Sequence, residues 1–331
     1  MWSHLRVTAL HAEYRAAQRC RLPPYKGATL RGALGFALRE LACVEPAGLC
    51  TGCSQPSQCA YGALFEPSAR GTDGETAFDR PRPYVLSPPL DSREEYEAGG
   101  RLEMGLILVG SGRMWLPWVI GALSRMGRDG LGAGRHPWVL SRLCFESRPG
   151  KWLDIETQSG VIAQRITELD GRDLVAAQPS AEAVTLRFVT PTHVLDHGQR
   201  VRQLDGTLLI RRLLRRLGGL VQHYCGWSAE GFDFRPLVEL ATQIECRSHD
   251  LVMRSWERYS TRRGHTHVLT GFVGDGELTG VPGPLWPYLV LGGRIHVGKG
   301  ASFGMGRYTL RTPSPPGQMP SNCPLPGRSG W

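Results

Sequence analysis

Polar and cationic side chains stand among glycines near the end of the chain. Within the stretch from Gly293 to Leu310, these side chains are His296, Lys299, Ser302 and Arg307. The interleaved glycines, which allow positive φ and bring no Cβ to hold a ligand away, are Gly298, Gly300, Gly304 and Gly306. Backbone amides, a hydroxyl group and positive charge together suit phosphate oxygens. We therefore predict that this glycine-rich loop, residues 296–307, lies against an extended phosphate chain.

The glycine-rich loop has two other interpretations. The spacing Gly293-x4-Gly298-Lys299 is that of a nucleotide-binding Walker A loop, but Gly300 stands where magnesium needs a Ser or Thr hydroxyl. The residues that follow also read as a strand rather than a helix, so we reject a nucleoside triphosphate site. The remaining alternative is a hairpin in which the glycines only serve the turns.

A second basic segment lies between residues 254 and 267. It combines arginines with aromatic rings at a predicted hairpin turn, and its candidate contacts are Arg258, Tyr259, Arg262 and Arg263. Guanidinium groups bind phosphate and flat rings stack on bases, so the pattern is typical of proteins that bind single-stranded or structured RNA. Four further arginines, at 211, 212, 215 and 216, form a helix face opposite leucines, which more often indicates solvation.

Four cysteines follow the first predicted helix with the spacing Cys43-x6-Cys50-x2-Cys53-x5-Cys59. Thiolates bind zinc tetrahedrally, and a C-x-x-C turn can supply two ligands. We predict a structural Zn²⁺ site that staples this insertion and leaves no open position for catalysis. Unligated thiols and a redox pair are the alternatives.

The hydrophobic pattern predicts the elements that must position these residues. An amphipathic helix over 29–42 begins beside Tyr25 and Lys26, and strands or helices follow at 102–109, 116–126, 138–145, 184–189 and 208–217. The order helix, glycine cluster, strand occurs twice, near 116–145 and 285–310, which indicates two related βαββαβ halves. We expect an N-terminal domain over 1–160, a C-terminal domain over 161–312 and a disordered tail over 313–331.

The amino-acid composition restricts the chemical class of the binding partner. Lysine and arginine number 39 against 30 acidic residues in 331, a net charge of +9 that favours an anionic partner such as nucleic acid or an anionic membrane. The sequence has no apolar run long enough for a membrane span and no hydrophobic signal core at its start. We therefore expect a soluble cytoplasmic protein with no membrane partner, in which cysteines are thiols or metal ligands.

Taken together, these segments resemble the CRISPR-associated pre-crRNA processing endoribonucleases of the RAMP superfamily, the Cas6 family. The resemblance follows segment order over most of the chain and is carried by residues 22–35, 59–66, 81–86, 258–260 and 296–306. It implies an α+β fold of tandem ferredoxin-like (RAMP/RRM-like) domains with a Cys-rich insertion and a C-terminal glycine-rich loop. It also implies CRISPR repeat RNA or crRNA as the ligand, other Cas effector subunits as partners, and cleavage that needs no cofactor.

Cleavage of this kind lets a ribose 2′-OH attack the adjacent phosphate, so the protein must align the attack, accept a proton and stabilise charge. The family often uses a histidine near the first helix as base. Here no histidine lies between His11 and His136, and Phe36 lies in that helix. We predict instead that the catalytic residues are Tyr25, Lys26 and Arg31, with Lys26 a base only if its pKa is lowered. The alternatives are packing or phosphate-binding roles for all three, and a histidine from the second domain: His265, His267 or His296.

The leading hypothesis is therefore an endoribonuclease that cuts CRISPR repeat RNA into mature crRNA and can stay bound to it in an effector complex. A non-catalytic RAMP scaffold subunit that binds RNA is the alternative, which the missing histidine would suit. A zinc-dependent DNA-binding regulator would need a recognition helix, and no helix-turn-helix signature stands out.

Overall fold

A computed structural model provides the structure of the chain. It describes residues 1–44, 50, 53, 55, 58–67, 80–155, 166–196, 198–201, 203–247, 250–260 and 265–312. Of these, residues 257–260 and 265–267 are described by their backbone alone. The predicted disordered tail, 313–331, falls wholly outside the described residues.

The first domain is an antiparallel sheet with helices on one face. Its strands are β1 (Arg6–Ala16), β2 (Cys20–Arg21), β3 (Tyr84–Ser87), β4 (Glu95–Tyr96), β5 (Arg101–Val109), β6 (Trp138–Arg148), β7 (Lys151–Asp154) and β8 (Leu169–Asp170). Its helices are α1 (Gly27–Ala42), α2 (Ala60–Phe65) and α3 (Leu116–Asp129). The main sheet has the order β3-β5-β1-β6-β7, β8 pairs with β1, and β2 pairs with β4.

The second domain repeats this plan. Its strands are β9 (Val184–Thr192), β10 (Leu195–Asp196), β11 (Gln199–Arg200), β12 (Glu245–Arg247), β13 (Val252–Ser260), β14 (His265–Thr279) and β15 (Tyr308–Arg311). Its helices are α4 (Gly171–Ala176), α5 (Gly206–Tyr224), α6 (Arg235–Ala241) and α7 (Trp286–Ile295). The main sheet has the order β12-β14-β9-β15, and β13 pairs with β14.

Both domains have the ferredoxin-like βαββαβ order, which confirms the predicted fold. In the first domain the pattern is β1-α1-β3-β5-α3-β6, and in the second it is β9-α5-β13-β14-α7-β15. The short strand β8, at 169–170, pairs with the first sheet although it follows the predicted boundary at 160. The division into domains at that residue stays a prediction.

Strand β1 is buried on both faces, and this sets how the domains meet. Leu10 and Tyr14 pack against α1 and α3 in the first core. Val7 and Ala9, whose side chains point to the other face because strand residues alternate, belong to the core formed by α5 and α7. The helices of the second domain therefore cover the face of the first sheet that its own helices leave open.

The arginine face of α5 is only partly solvated, which corrects the sequence interpretation. The Nε of Arg216 donates a hydrogen bond to the carbonyl of Ile295, at the end of α7, over 2.7 Å. Burial lowers the pKa of Arg216 to about 10. Arg212 donates to the carbonyl of Leu195, while Arg211 and Arg215 are exposed. Two of the arginines thus bind carbonyl groups of the protein.

Among the described residues, no helix is both long enough and apolar enough to cross a bilayer.

A buried ion pair crosses between the domains. Arg294 of α7 binds both carboxylate oxygens of Glu146 on β6, at 2.7 and 3.0 Å. Glu146 is 1% exposed and also accepts a hydrogen bond from the amide of Gly150. A fork of two parallel hydrogen bonds fixes direction as well as distance. The pair therefore sets where α7, and the loop that follows it, lie on the first sheet.

Removing the Glu146 carboxylate leaves Arg294 without its partner in a partly buried place. We expect Glu146→Ala to lower the free energy of unfolding by roughly 2 to 4 kcal/mol, below the upper end for buried pairs because Arg294 is 35% exposed. Arg19→Ala, which breaks exposed pairs with Glu95 and Glu97, should cost at most about 1 kcal/mol. Chemical denaturation of the two variants checks this, and equal losses would contradict it.

Candidate functional site

Three segments selected from the sequence meet at one corner of the structure. The hydroxyl of Tyr25, just before α1, donates to the carbonyl of Phe303 in the glycine-rich loop over 2.7 Å. The ring of Tyr25 also lies 5.5 Å from that of Trp256 on β13, centroid to centroid. The start of α1, the loop and the β13-β14 hairpin are therefore neighbours in the fold.

Arg31 lies against two aromatic rings at this corner. Its guanidinium carbon lies 4.4 Å from the centroid of Phe303 and 5.1 Å from that of Phe65. Phe65 is itself stacked on Tyr84 at 5.0 Å. The Nε atom of Arg31 is buried and meets no hydrogen-bond partner among the described residues. Because cation–π contacts restrain the guanidinium without using its donors, Arg31 can bind an anion without first breaking an ion pair.

Lys26 is placed very differently. Its side chain is 0% exposed, and its ammonium group donates to the carbonyls of Pro24 at 3.2 Å and Asp91 at 3.1 Å. The Asp91 carboxylate lies 3.5 Å away. Burial lowers the pKa of Lys26 below its usual value, although Asp91 opposes the shift. A lowered pKa was the condition for Lys26 to act as a base, and the pKa is indeed shifted downwards. However, every hydrogen bond that the structure gives the ammonium group goes to an oxygen of the protein rather than towards an open surface.

Tyr25 is a hydrogen-bond donor here. Burial raises the pKa of its hydroxyl above the usual range, so the group stays protonated. Its proton is used in the bond to Phe303. Tyr25 therefore joins the two domains, as its packing alternative would require, and its catalytic role stays a prediction.

The amides of the glycine-rich loop are largely used within the protein, which corrects the expectation that they face a ligand. The amide of Val297 donates to the carbonyl of Gly306, that of Lys299 to His193, and that of Gly306 to Pro191, each over 2.9 Å. These bonds tie the loop to β9 and to itself. A phosphate chain would find few of these donors available.

The space beside the glycines is also filled by the protein. A Cβ on Gly306 would overlap the carbonyl oxygen of Val297, and one on Gly304 would overlap the ring of Pro88. Gly298 and Gly300 have positive φ and equally close neighbours. Close packing and positive φ therefore explain the glycines, as the hairpin alternative proposed, and RNA contact by any of the four stays a prediction.

The polar side chains of the loop separate into two groups. His296 and Ser302 are buried, whereas Lys299 is exposed and Arg307 is half-buried. Burial and the nearby Arg294 lower the pKa of Arg307. Lys299 is the cation of this loop best placed to meet an RNA phosphate, and Arg307 reaches the same surface less openly.

His296 joins the domains from inside. Its Nδ1 lies 3.1 Å from the carbonyl of Met305, which can only accept, so Nδ1 carries the proton. Its Nε2 then accepts from the Ser87 hydroxyl of β3 at 3.5 Å. Burial first, and Arg307 and Arg216 next, lower the pKa of His296 well below its usual value. The ring is thus a neutral bridge, which argues against its role as the catalytic histidine.

The predicted hairpin is present, but its basic tip is only partly described. In β13 and β14, Arg258 pairs with His267 and Tyr259 pairs with Thr266. Arg262 and Arg263 lie outside the described residues. All of these RNA contacts, and any role of His265 and His267, stay predictions.

The four predicted zinc ligands lie in the segment between α1 and α2. Cys43 ends α1 and Cys59 precedes α2, and the cysteines in the described part of the chain are thiols rather than disulfides. Within that part, no three His, Cys, Asp or Glu side chains stand in metal-binding geometry. The zinc assignment therefore stays a prediction.

Sequence reasoning missed the residues that hold the site. Phe65 and Phe303 position Arg31. The ring of Trp256 packs on that of Tyr25, and the carboxylate of Asp91 forms an ion pair with Lys26. Phe303 and Trp256 lie within the glycine-rich loop and the basic segment 254–267, which the sequence analysis had already singled out. An aromatic ring beside predicted phosphate contacts could therefore have indicated both residues. Nothing in the local pattern indicates Phe65 or Asp91, whose partners come from other segments.

His296 should make stability depend on pH. The pKa of His296 is lowered in the folded state, whereas in the unfolded chain it is near 6.5. As the pH falls below 6.5, His296 is protonated in the unfolded chain but stays neutral in the folded protein, so the free energy of unfolding decreases. When the pH is lowered from about 7.5 to about 5.5, the free energy of unfolding should decrease by about 1 kcal/mol less in His296→Gln than in the original protein. Denaturation at both pH values checks this. His4→Gln, which replaces an exposed histidine, should match the original protein.

Comparisons with known proteins follow this geometry. The model of the CRISPR-associated endoribonuclease Cas6 matches residues 186–308, and the AF_1859_N model, described as an N-terminal domain, matches residues 5–167. A search of the curated proteins finds no match.

Solved structures share the fold. A Thermus thermophilus Cas6 in a product complex is 17% identical, with 92% of this chain and 100% of that chain covered and a TM-score of 0.55. A second Cas6 product complex is 19% identical, with coverages of 93% and 100% and a TM-score of 0.53. A chain of a partial Cas6-RT-Cas1–Cas2 complex is 15% identical, with coverages of 93% and 46% and a TM-score of 0.57. The Cas6 family model therefore matches the second domain, and these solved structures share the fold of the whole chain.

Proposed function

We propose that the protein is an endoribonuclease that cuts CRISPR repeat RNA at the corner formed by α1, the glycine-rich loop and the β13-β14 hairpin. The observation that carries the proposal is Arg31, whose guanidinium carbon lies 4.4 Å from the ring of Phe303 and 5.1 Å from that of Phe65, at the junction of the two domains. The Cas6 model, whose description names an endoribonuclease, matches the domain that supplies the loop and the hairpin.

The reaction is an in-line transfer within the RNA. The 2′-oxygen forms a bond to the adjacent phosphorus while the bond from phosphorus to the 5′-oxygen breaks. The 2′-hydroxyl gives up its proton and the leaving 5′-oxygen takes one up, which yields a 2′,3′-cyclic phosphate and a 5′-hydroxyl. Negative charge accumulates on the phosphorane oxygens between these events, and that charge is what a fixed cation stabilises.

Arg31 is assigned the charge-stabilising role. A guanidinium presents several donors in a plane, and its charge persists at any working pH. Because the two rings restrain it before substrate arrives, little ordering is needed when the phosphate binds. Lys299, exposed on the loop, is assigned to bind a neighbouring phosphate.

Tyr25 and Lys26 are assigned positioning roles. The Tyr25 hydroxyl holds the loop through Phe303, and the Lys26 ammonium holds the turn before α1 to Asp91. Neither group presents a lone pair or a loose proton to the surface beside Arg31. We therefore route no proton through them.

A non-catalytic scaffold subunit that binds repeat RNA is the second candidate, and one observation favours it. Phe36, on the helix where the family often has a basic histidine, is 45% exposed and lies against Arg135, 5.3 Å from its guanidinium carbon. With His296 buried as a bridge, no described side chain next to Arg31 is a ready base.

The Arg31 assignment is tested by comparing cleavage with binding. We expect Arg31→Ala to slow single-turnover cleavage of repeat RNA by roughly 10²- to 10³-fold, because one transition-state donor is lost. Affinity for the uncleavable RNA with a 2′-deoxy group at the scissile ribose should fall by no more than about 10-fold. Arg31→Lys should recover only part of the rate, since lysine lacks the planar fork. Arg128→Ala, on the exposed last turn of α3, is the matched control. Normal cleavage by Arg31→Ala would contradict the assignment.

The two candidate functions differ in their products. Protein dialysed free of loosely bound divalent ions should convert end-labelled repeat RNA into fragments that carry a 2′,3′-cyclic phosphate and a 5′-hydroxyl. Mass spectrometry of the fragments identifies both ends. Tight binding of intact RNA, with no fragments above the level of the Arg31→Ala variant, would establish the scaffold function instead.

A further inference from the structure

The helix that carries Arg31 has an exposed glycine that the packing of the protein does not require. Gly27 and Gly35 of α1 are buried, and a Cβ on either would overlap a neighbouring atom. Gly32, in contrast, is exposed, and a Cβ there would meet nothing within 4 Å. A glycine inside a helix lowers its stability relative to alanine. Close approach of a ligand to the backbone is a use that would offset this cost.

One turn further along the same helix face stands an exposed aromatic ring with a cation beside it. Phe36 is 45% exposed, and the guanidinium carbon of Arg135 lies 5.3 Å from its ring centroid. A single exposed apolar side chain needs no explanation, but this one is paired with a charge. Arg135 is exposed and forms no ion pair or side-chain hydrogen bond with any residue that the structure describes. Its donors are therefore available to an anion that approaches the ring.

The backbone of Arg135 is strained. Its φ of 46° lies in the left-handed region, which side chains with a Cβ rarely adopt, whereas the positive-φ positions 130 and 132 of the same turn are glycines. The turn is fixed by two hydrogen bonds exchanged between Leu131 and His136, over 2.8 and 3.1 Å. Strained residues in a fixed turn are concentrated at ligand-binding sites. The strain therefore supports a role for the Arg135 side chain that glycine could not fill.

The order of these residues around α1 defines a path for a strand. Phe36 follows Arg31 by five residues, which is about 7.5 Å along the helix axis and about 140° around it. Gly32 lies between the two in direction, so a strand that contacts Arg31 and Phe36 crosses the helix over Gly32. The next acidic residue on this face, Glu40, lies 3.7 Å from Arg125, which offsets its charge. The exposed face from Gly32 to Phe36 is thus open to a polyanion.

We propose that Gly32, Phe36 and Arg135 bind one unpaired nucleotide of the repeat RNA, on the strand whose scissile phosphate lies at Arg31, an inference that rests on the proposed function. The base stacks on the ring of Phe36, since every base has a flat face and stacking tolerates any sequence. The guanidinium of Arg135 binds the phosphate of that nucleotide. Gly32 lets the sugar-phosphate chain lie against the helix. A base that stacks on a side chain is not paired, so the RNA is single-stranded here.

Stacking is tested by binding of repeat RNA with a 2′-deoxy group at the scissile ribose, which is not cut. Phe36→Leu keeps an apolar side chain but has no ring, so affinity should fall about 10-fold with the salt dependence unchanged. Trp118→Leu, which removes an aromatic ring of similar exposure (42%) from α3, should bind as the original protein does. The fluorescence of 2-aminopurine, placed at one nucleotide after another, should be quenched at one position by the original protein and not by Phe36→Leu.

The phosphate contact is tested by the salt dependence of the same binding. Arg135→Gly accepts the positive φ without strain, so the fold should be kept while the slope of log affinity against log salt falls by about 1. Arg128→Ala, at an exposed arginine near the turn, should leave the slope unchanged. A lower melting temperature of Arg135→Gly with an unchanged slope would show that the arginine serves the fold alone, which overturns this contact.

The path over the helix is tested at Gly32. Glutamine is a better helix former than glycine, and its side chain has open space here, so Gly32→Gln should melt no lower than the original protein. It should nevertheless bind the uncleavable RNA about 10-fold more weakly, because its side chain lies where the strand crosses. Loss of affinity without loss of stability is a result that a purely structural role of Gly32 does not produce.

Failure of this inference is distinguishable from failure of the proposed function. If the original protein binds and cuts repeat RNA while Phe36→Leu and Gly32→Gln bind it equally well, the nucleotide site is overturned and the proposed function stands. If Phe36→Leu instead changes the oligomeric state measured by sedimentation, with RNA affinity unchanged, the ring is a protein contact and the nucleotide site is again overturned. An original protein that does not bind repeat RNA would overturn the proposed function and this inference with it.

Discussion

The contact on which the site depends is the docking of the glycine-rich loop against the first domain. Its anchor is one hydrogen bond, from the Tyr25 hydroxyl to the carbonyl of Phe303, supported from inside by the neutral His296 between Met305 and Ser87. Protonated His296 could not accept from Ser87 through Nε2, and a charge there would face two arginines. The loop's shape, its burial and the placement of Phe303 over Arg31 all follow from this docking.

The fold could be predicted from the sequence because its signals are local. Alternation in β1, the 3.6-residue period of α1 and α5, and the repeated order of helix, glycine cluster and strand each report on one stretch of chain. The same reasoning predicted that the Tyr25 region and the loop belong to one site. It could not decide what the glycines do, since a glycine required by close packing within the protein and one that admits a ligand cannot be told apart in the sequence.

The details of the site could not be predicted, because they depend on partners from distant segments. Lys26 and Arg31 look alike as cations near the start of a helix, yet Asp91 engages one and two aromatic rings flank the other. A buried lysine loses its positive charge more readily than a buried arginine does, because the charge of the guanidinium group is delocalised. This difference explains why the lysine serves the fold while, under the proposed function, the arginine binds the ligand.

Under the proposed function, a site with no ready base among the described side chains next to Arg31 is still able to cut RNA. Alignment of the 2′-oxygen with the scissile phosphate and a fixed guanidinium would lower the barrier at two separate points. A protein that stays bound to its product needs only one turnover for each RNA, so a slow chemical step limits it little. Restrained geometry then matters more than proton transfer, and that geometry is what the rings of Phe65 and Phe303 provide for Arg31.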